Sequence, residues 1–145
     1  MGHNTNKLLL GATKSSHKKV KSFVGTAAAG TCVRLKSDGT ASITKSDGAD
    51  LGISLGADLS DAGQISVVLE SNDCPILIAD SFDPAIGARV AVVDASGVAR
   101  AYTGSGDSYI NAHYVSGRVG GTGVAGGVNE AGALVGVARI SFIGL

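Results

Sequence analysis

The sequence predicts an all-β fold, a small β-barrel or β-sandwich of short strands with an extended N-terminal arm. Three observations point to it. The apolar content is 44% of 145 residues but is aliphatic in kind, with only three Phe, three Tyr and no Trp. Glycine, at 22 residues, is about twice its usual share while proline is nearly absent, and that mixture suits strands joined by tight turns. No segment places apolar residues at helical spacing between caps; the stretch from Ser108 to Ser116 is the one place where a short helix would fit. A chain of this length makes one domain and buries roughly two thirds of its unfolded surface.

Taken in order, residues 1 to 22 are polar and basic with little periodicity, and read as an arm outside the main fold. The β-rich domain spans 23 to 145 and opens at Phe23. Thr31-Cys32-Val33-Arg34-Leu35-Lys36 alternates, meets Ser37-Asp38-Gly39-Thr40 and resumes as Ala41-Ser42-Ile43-Thr44. Asp-Gly between two such runs predicts a hairpin, because glycine accepts the positive φ of the turn. Ile65–Leu69 and Pro75–Ala79 read as two strands separated by the turn-rich Ser71-Asn72-Asp73. Arg89–Val93 leads through Asp94-Ala95-Ser96-Gly97 into Val98–Thr103, a second hairpin, and Leu134–Ile143 is long enough for a full central strand.

The two hairpins share a spacing. Gly30 and Val33 precede Gly39 and Ala41, as Gly87 and Val90 precede Gly97 and Ala99. Leu51-Gly52-Ile53 and Val135-Gly136-Val137 form a second matching pair, so the chain reads as two related β-units.

The net charge is zero, but its distribution is uneven. From Met1 to Lys36 there are seven basic residues (Lys7, Lys14, Lys18, Lys19, Lys21, Arg34, Lys36) and no acidic ones. Acidic residues dominate from Ser37 to Ile110, which makes a basic arm on an acidic body. The arm orders on an acidic partner surface or stays solvated as a tail. Cys32 and Cys74 are too few for a secreted disulfide framework and read as buried free thiols. Leu8 to Leu10 is too short for a signal-peptide core, and no run approaches the ~20 apolar residues of a membrane helix.

Candidate chemistry is thin. Gly121-Thr122-Gly123-Val124-Ala125-Gly126 has the dinucleotide spacing, but Gly127 to Gly132 cannot open the helix that would receive a pyrophosphate, so the run reads as a Gly-rich loop. His113 is the one histidine outside the arm; with Cys32 and Cys74 it has no zinc spacing, and neither cysteine lies in a nucleophile context. The aspartates sit beside Gly, Ser or Ala, where turn chemistry accounts for them. The arm has lysines but only Phe23 as a nearby aromatic, against the interleaving that nucleic acid favours. The expectation is a protein with no catalytic site, cofactor, metal, nucleic-acid or membrane partner.

The body resembles the capsid decoration, or cement, proteins of tailed bacteriophages. The likeness lies in Ala29-Gly30-Thr31-Cys32-Val33-Arg34-Leu35 with Ser37-Asp38-Gly39-Thr40, in Leu51-Gly52-Ile53-Ser54-Leu55-Gly56 and in Ala62–Leu69. It continues through Ile86-Gly87-Ala88-Arg89-Val90-Ala91-Val92 and Ala133-Leu134-Val135-Gly136-Val137-Ala138, covering roughly residues 24 to 145. The spacer from Tyr102 to Gly132 and the basic arm are both longer than that pattern. The resemblance implies a structural virion protein, made in the host cytoplasm, that binds the major capsid protein on the outer shell. It also implies a homo-oligomer, with a trimer favoured, that bridges capsomers. On that reading the arm grips the shell through Lys7, Leu8, Leu9, Leu10, Lys14, Lys18, Lys19, Lys21 and Phe23. The alternatives are another virion component, such as a tail-tube or head-fibre subunit, and a carbohydrate-binding β domain using Tyr102, Tyr109 and Tyr114.

Overall fold

The computed structural model describes residues 17–43, 50–58, 62–93, 96–119, 127–128 and 134–143. Among them there is no helix, and ten strands form a single sheet. The strands are β1 (His17–Val24), β2 (Cys32–Leu35), β3 (Ala41–Ser42), β4 (Asp50–Ala57), β5 (Gln64–Ala79), β6 (Arg89–Val93), β7 (Ala99–Arg100), β8 (Asp107–Tyr114), β9 (Gly127–Val128) and β10 (Leu134–Ile143). The fold is all-β. The two hairpins are β2–β3 and β6–β7.

Three elements differ from the expectation. The two runs on either side of Ser71-Asn72-Asp73 are one 16-residue strand, β5, because a register shift opposite Ile140 and Phe142 absorbs the polar residues without ending the pairing. Ser108 to Ser116 is no helix: Ile110, Ala112 and Tyr114 face inward and Tyr109, Asn111 and His113 outward, the alternation of a strand with one wet face. Residues 17 to 22, assigned by composition to the arm, belong to the sheet, with β1 antiparallel to the first half of β5. Phe23 holds β1 there, being only 7% exposed.

The pairings run twice through one circuit. In the first unit β1 pairs β5, β5 pairs β4, β4 pairs β2 and β2 pairs β3, all antiparallel. A single parallel bridge from Thr40 to Val24 returns to β1. In the second unit the later half of β5 pairs β10, β10 pairs β8, β8 pairs β6 and β6 pairs β7, again antiparallel. A single parallel pair, Ile78 with Ala99, returns to β5. Each closure is one bridge long, so each unit is a partial ring and neither is a complete barrel. β5 is the last strand of the first unit and the first strand of the second.

Hydrogen bonds repeat with the strands. Gly30 N–H donates to the Ser54 carbonyl at 2.7 Å and Ser54 N–H to Thr31 at 2.8 Å; Gly87 donates to Tyr114 at 2.7 Å and Tyr114 to Ala88 at 2.9 Å. Lys36 N–H donates to Thr40 and Val93 N–H to Val98, both at 2.9 Å. Gly30, Gly39, Gly87 and Gly97 all have positive φ, so the spacing seen in the sequence is the spacing of equivalent turns. The other matched pair is not equivalent: Gly52 lies on β4, whose counterpart in the circuit is β8, and Gly136 on β10, whose counterpart is the first half of β5.

Each unit has its own apolar interior. Phe23, Val33, Leu35, Ile65 and Val67 fill the first. Ile76, Ile78, Val90, Val92, Ile110, Tyr114, Ile140 and Phe142 fill the second, joined by Cys32, Ile53 and Val68 across the junction. A third cluster of Leu77, Val98, Val135 and Val137 packs against Ala29 between the units.

Candidate interaction surface

Most buried or half-buried polar groups serve the frame. Arg118, whose side chain is 3% exposed, donates to Asp80 at 2.7 Å, to the Ala79 carbonyl at 3.2 Å and to the Phe82 carbonyl at 3.3 Å. Its backbone N–H donates to Asp83 at 2.9 Å, so this one residue fastens the spacer after β8 to the turn after β5. Asp107 accepts from Arg100 at 2.9 Å and from both the backbone N–H and the hydroxyl of Thr103 at 2.8 Å, shaping the β7–β8 loop. Burial opposes its charge, but the hydrogen bonds from Arg100 and Thr103 outweigh burial and hold the carboxyl below its ordinary value.

A third cluster stands where β1, β5 and β10 meet. His17 Nδ1 lies 2.8 Å from Ser71 Oγ, Ser71 Oγ accepts from the Asp73 N–H at 3.2 Å, and Arg139 donates to Asp73 at 2.6 Å. Burial first, and then Arg139, lowers the His17 pKa, while Asp73 opposes them. The pair has the atoms of a serine–histidine dyad. Ser71, however, is 2% exposed, so a substrate carbonyl has no approach to its oxygen. Its hydroxyl instead helps hold the start of β1 against the irregular point of β5. Sequence reading had no access to this cluster, whose members stand 54 and 66 residues apart along the chain.

The cysteines are buried and free, and burial pushes the Cys74 thiol up to about 12, the environment of an inert thiol. His113 points outward from β8 and the cysteines inward, so they form no dyad. Among the described residues, no group of three or more His, Cys, Asp and Glu side chains gathers as a metal site would require. The tyrosines separate. Tyr102 and Tyr109 are exposed and stacked, ring centroids 4.5 Å apart, with the Arg89 guanidinium 4.6 Å from the Tyr109 centroid. Tyr114 is interior and edge-on to Phe82, and its hydroxyl has no hydrogen-bond partner. A surface platform of all three tyrosines therefore does not exist.

Of the residues expected to grip a partner, Lys7, Leu8, Leu9, Leu10 and Lys14 lie outside the described residues, as do Gly121 to Gly126. Lys18, Lys19 and Lys21 are exposed on β1. Lys18 and Lys19 both approach Glu70, at 3.9 and 3.7 Å, and Lys21 stands 5.7 Å over the Phe23 ring. Exposed pairs of such length contribute little, so both ammonium groups remain available to another carboxylate. Phe23 differs from the expectation: packed with Val33, Leu35, Ile65 and Val67, it anchors β1 and has no surface with which to grip. No protein-family model matches the chain, and no curated protein matches it either.

Proposed function

We propose that this chain is a structural virion protein that binds the outer surface of a tailed-phage capsid and bridges neighbouring capsomers. The observation that supports this reading is mechanical. The basic N-terminal run leads directly into β1, which is paired with β5 from His17 to Val24 and presents Lys18, Lys19 and Lys21 to solvent. A pull on the arm is a shear across those paired positions, resisted by many backbone hydrogen bonds together, and β5 passes the load to both units. Lysines along an edge strand also discourage unspecific strand pairing while attracting an acidic surface. The resemblance of residues 24 to 145 to decoration proteins supplies the partner, the major capsid protein, and the trimeric state.

The test is occupancy of capsids lacking the protein. Removing residues 1 to 16, which spares β1, is expected to leave the fold intact and weaken binding; removing 1 to 22 would also strip β1 from β5 and confound the result. Undiminished occupancy by the 17–145 chain would overturn the arm as the grip. Cryo-EM of native particles decides the wider reading, since density on the tail or at a fibre base instead of the shell would overturn decoration.

A further inference from the structure

Because the two units repeat one circuit, the junction between them shows what each unit is built to receive. At that junction the turn of the second unit seats on the first. Cys32 N–H donates to the Gly97 carbonyl at 2.9 Å, and a side chain on Gly97 would collide with Thr31 and with the Cys32 carbonyl. Leu77 N–H donates to the Gly30 carbonyl at 3.0 Å, and Ala29 packs on Leu77, Val98, Val135 and Val137. The first unit thus offers Ala29 to Cys32 as a receiving surface, and the second offers Leu77 and the Gly97-Val98 turn as an entering one.

Two equivalent surfaces exist once more, uncovered, with one difference: Val24 N–H donates to the Gly39 carbonyl at 2.8 Å, where the junction instead pairs Leu77 with Gly30 and Gly97 with Cys32. By the repeated hydrogen bonds, Ile86 to Arg89 of the second unit match Ala29 to Cys32. Cys32 is buried, whereas Arg89 is exposed and Ile86 is 74% exposed. On the first unit Val24, Gly39 and Thr40 match Leu77, Gly97 and Val98. Leu77 and Val98 are buried, whereas Val24 is 52% exposed, and nothing lies within 4 Å of where a Gly39 side chain would begin.

We infer that these two open surfaces bind each other between copies of this chain, head to tail, with the Gly39 turn and Val24 of one copy seated on Ile86 to Arg89 of the next. The interface continues one already present inside the molecule. Charge favours it too, because the exposed Asp38 beside Gly39 comes to the side of the contact where Arg89 stands, whereas the internal junction has Ser96 and Cys32 there. The contact is heterologous, so it propagates into a closed ring or an open chain according to its rotation. It does not rest on the capsid reading, and its test contains no capsid, so either can fail alone.

Sedimentation of the full chain is expected to show self-association that rises with concentration. Ile86→Lys removes the receiving face and Val24→Lys the entering one. Each variant alone is expected to be monomeric, and their equal mixture to give a dimer and nothing larger, since each supplies the face the other lacks. Both side chains are outside the interiors, and unchanged circular dichroism checks that the fold survives. Independently, backbone NMR shifts of the wild-type chain are expected to move with concentration around residues 24, 38–40 and 86–89. A monomer at every concentration overturns the inference, as do self-association retained by either single variant, a mixture that stays monomeric, or shifts confined to other surfaces.

Discussion

The Arg118 guanidinium lies across Gly136 at the place where any other residue would begin its side chain, with its carbon 2.5 Å from that position. The far end of an arginine ordinarily moves aside without cost, but this one is buried and fixed by Asp80 and two backbone carbonyls. Gly136→Ala is therefore expected to destabilise the chain by roughly 1–3 kcal/mol, the usual cost of an extra methyl in a packed site. The double-mutant cycle is the measurement that checks it: in an Arg118→Ala background the same glycine substitution should cost much less. Equal costs in both backgrounds would show that the two residues are not coupled.

The repeat separates two costs that usually arrive together. Gly39 and Gly97 are equivalent turn residues, with φ of 87° and 68°. Alanine at Gly39 meets open space, so its expected cost is only that of a left-handed backbone, about 1–2 kcal/mol. Alanine at Gly97 adds a collision with Thr31 and the Cys32 carbonyl, and backbone cannot move aside; a further 1–3 kcal/mol or so is expected. Chemical-denaturation midpoints of the two variants check the difference. Equal losses would mean that the junction between the units is looser than the contacts around Gly97 require.

How much of this was legible depended on whether the signal was local. Gly39 and Gly97 announce their hairpins because positive φ is a property of one residue. β8 was legible in principle, since Ile110, Ala112 and Tyr114 recur at period two, but its polar, small residues hide the strand until burial is known. β1 has no alternation to read: its residues from Lys18 to Ser22 are all exposed, and only Phe23 is fixed inside. Composition therefore makes an arm of what pairing makes a strand. β5 is continuous because β10 pairs across Ser71-Asn72-Asp73 as far as Glu70 and β1 takes up the pairing at Ser71, a fact carried by β1 and β10 and not by β5. The polar clusters were the least legible part, because Arg118, Arg139 and His17 find their partners only after the circuit closes.

The start of β1 is where pH acts. His17 meets Ser71 of β5, with Asp73 and Arg139 beside it and Lys18 and Lys19, which approach Glu70, next along its own strand. A neutral imidazole with a bare Nδ1 accepts from the Ser71 hydroxyl, whose oxygen is then free to accept the Asp73 N–H. Protonation makes Nδ1 a donor, so the Ser71 hydroxyl hydrogen loses the imidazole as its acceptor, and it adds a cation near Arg139. The folded pKa is depressed below the ordinary 6.5, so the stabilisation is complete above 6.5 and is lost as pH falls through the folded value. Amide-exchange protection of residues 17 to 20 is expected to fall in that window while the second unit keeps its protection. His17→Gln should remove the pH dependence, because its amide does not titrate. Protection of β1 that stays level through the window in the wild-type chain would show that the imidazole does not control the docking of this strand.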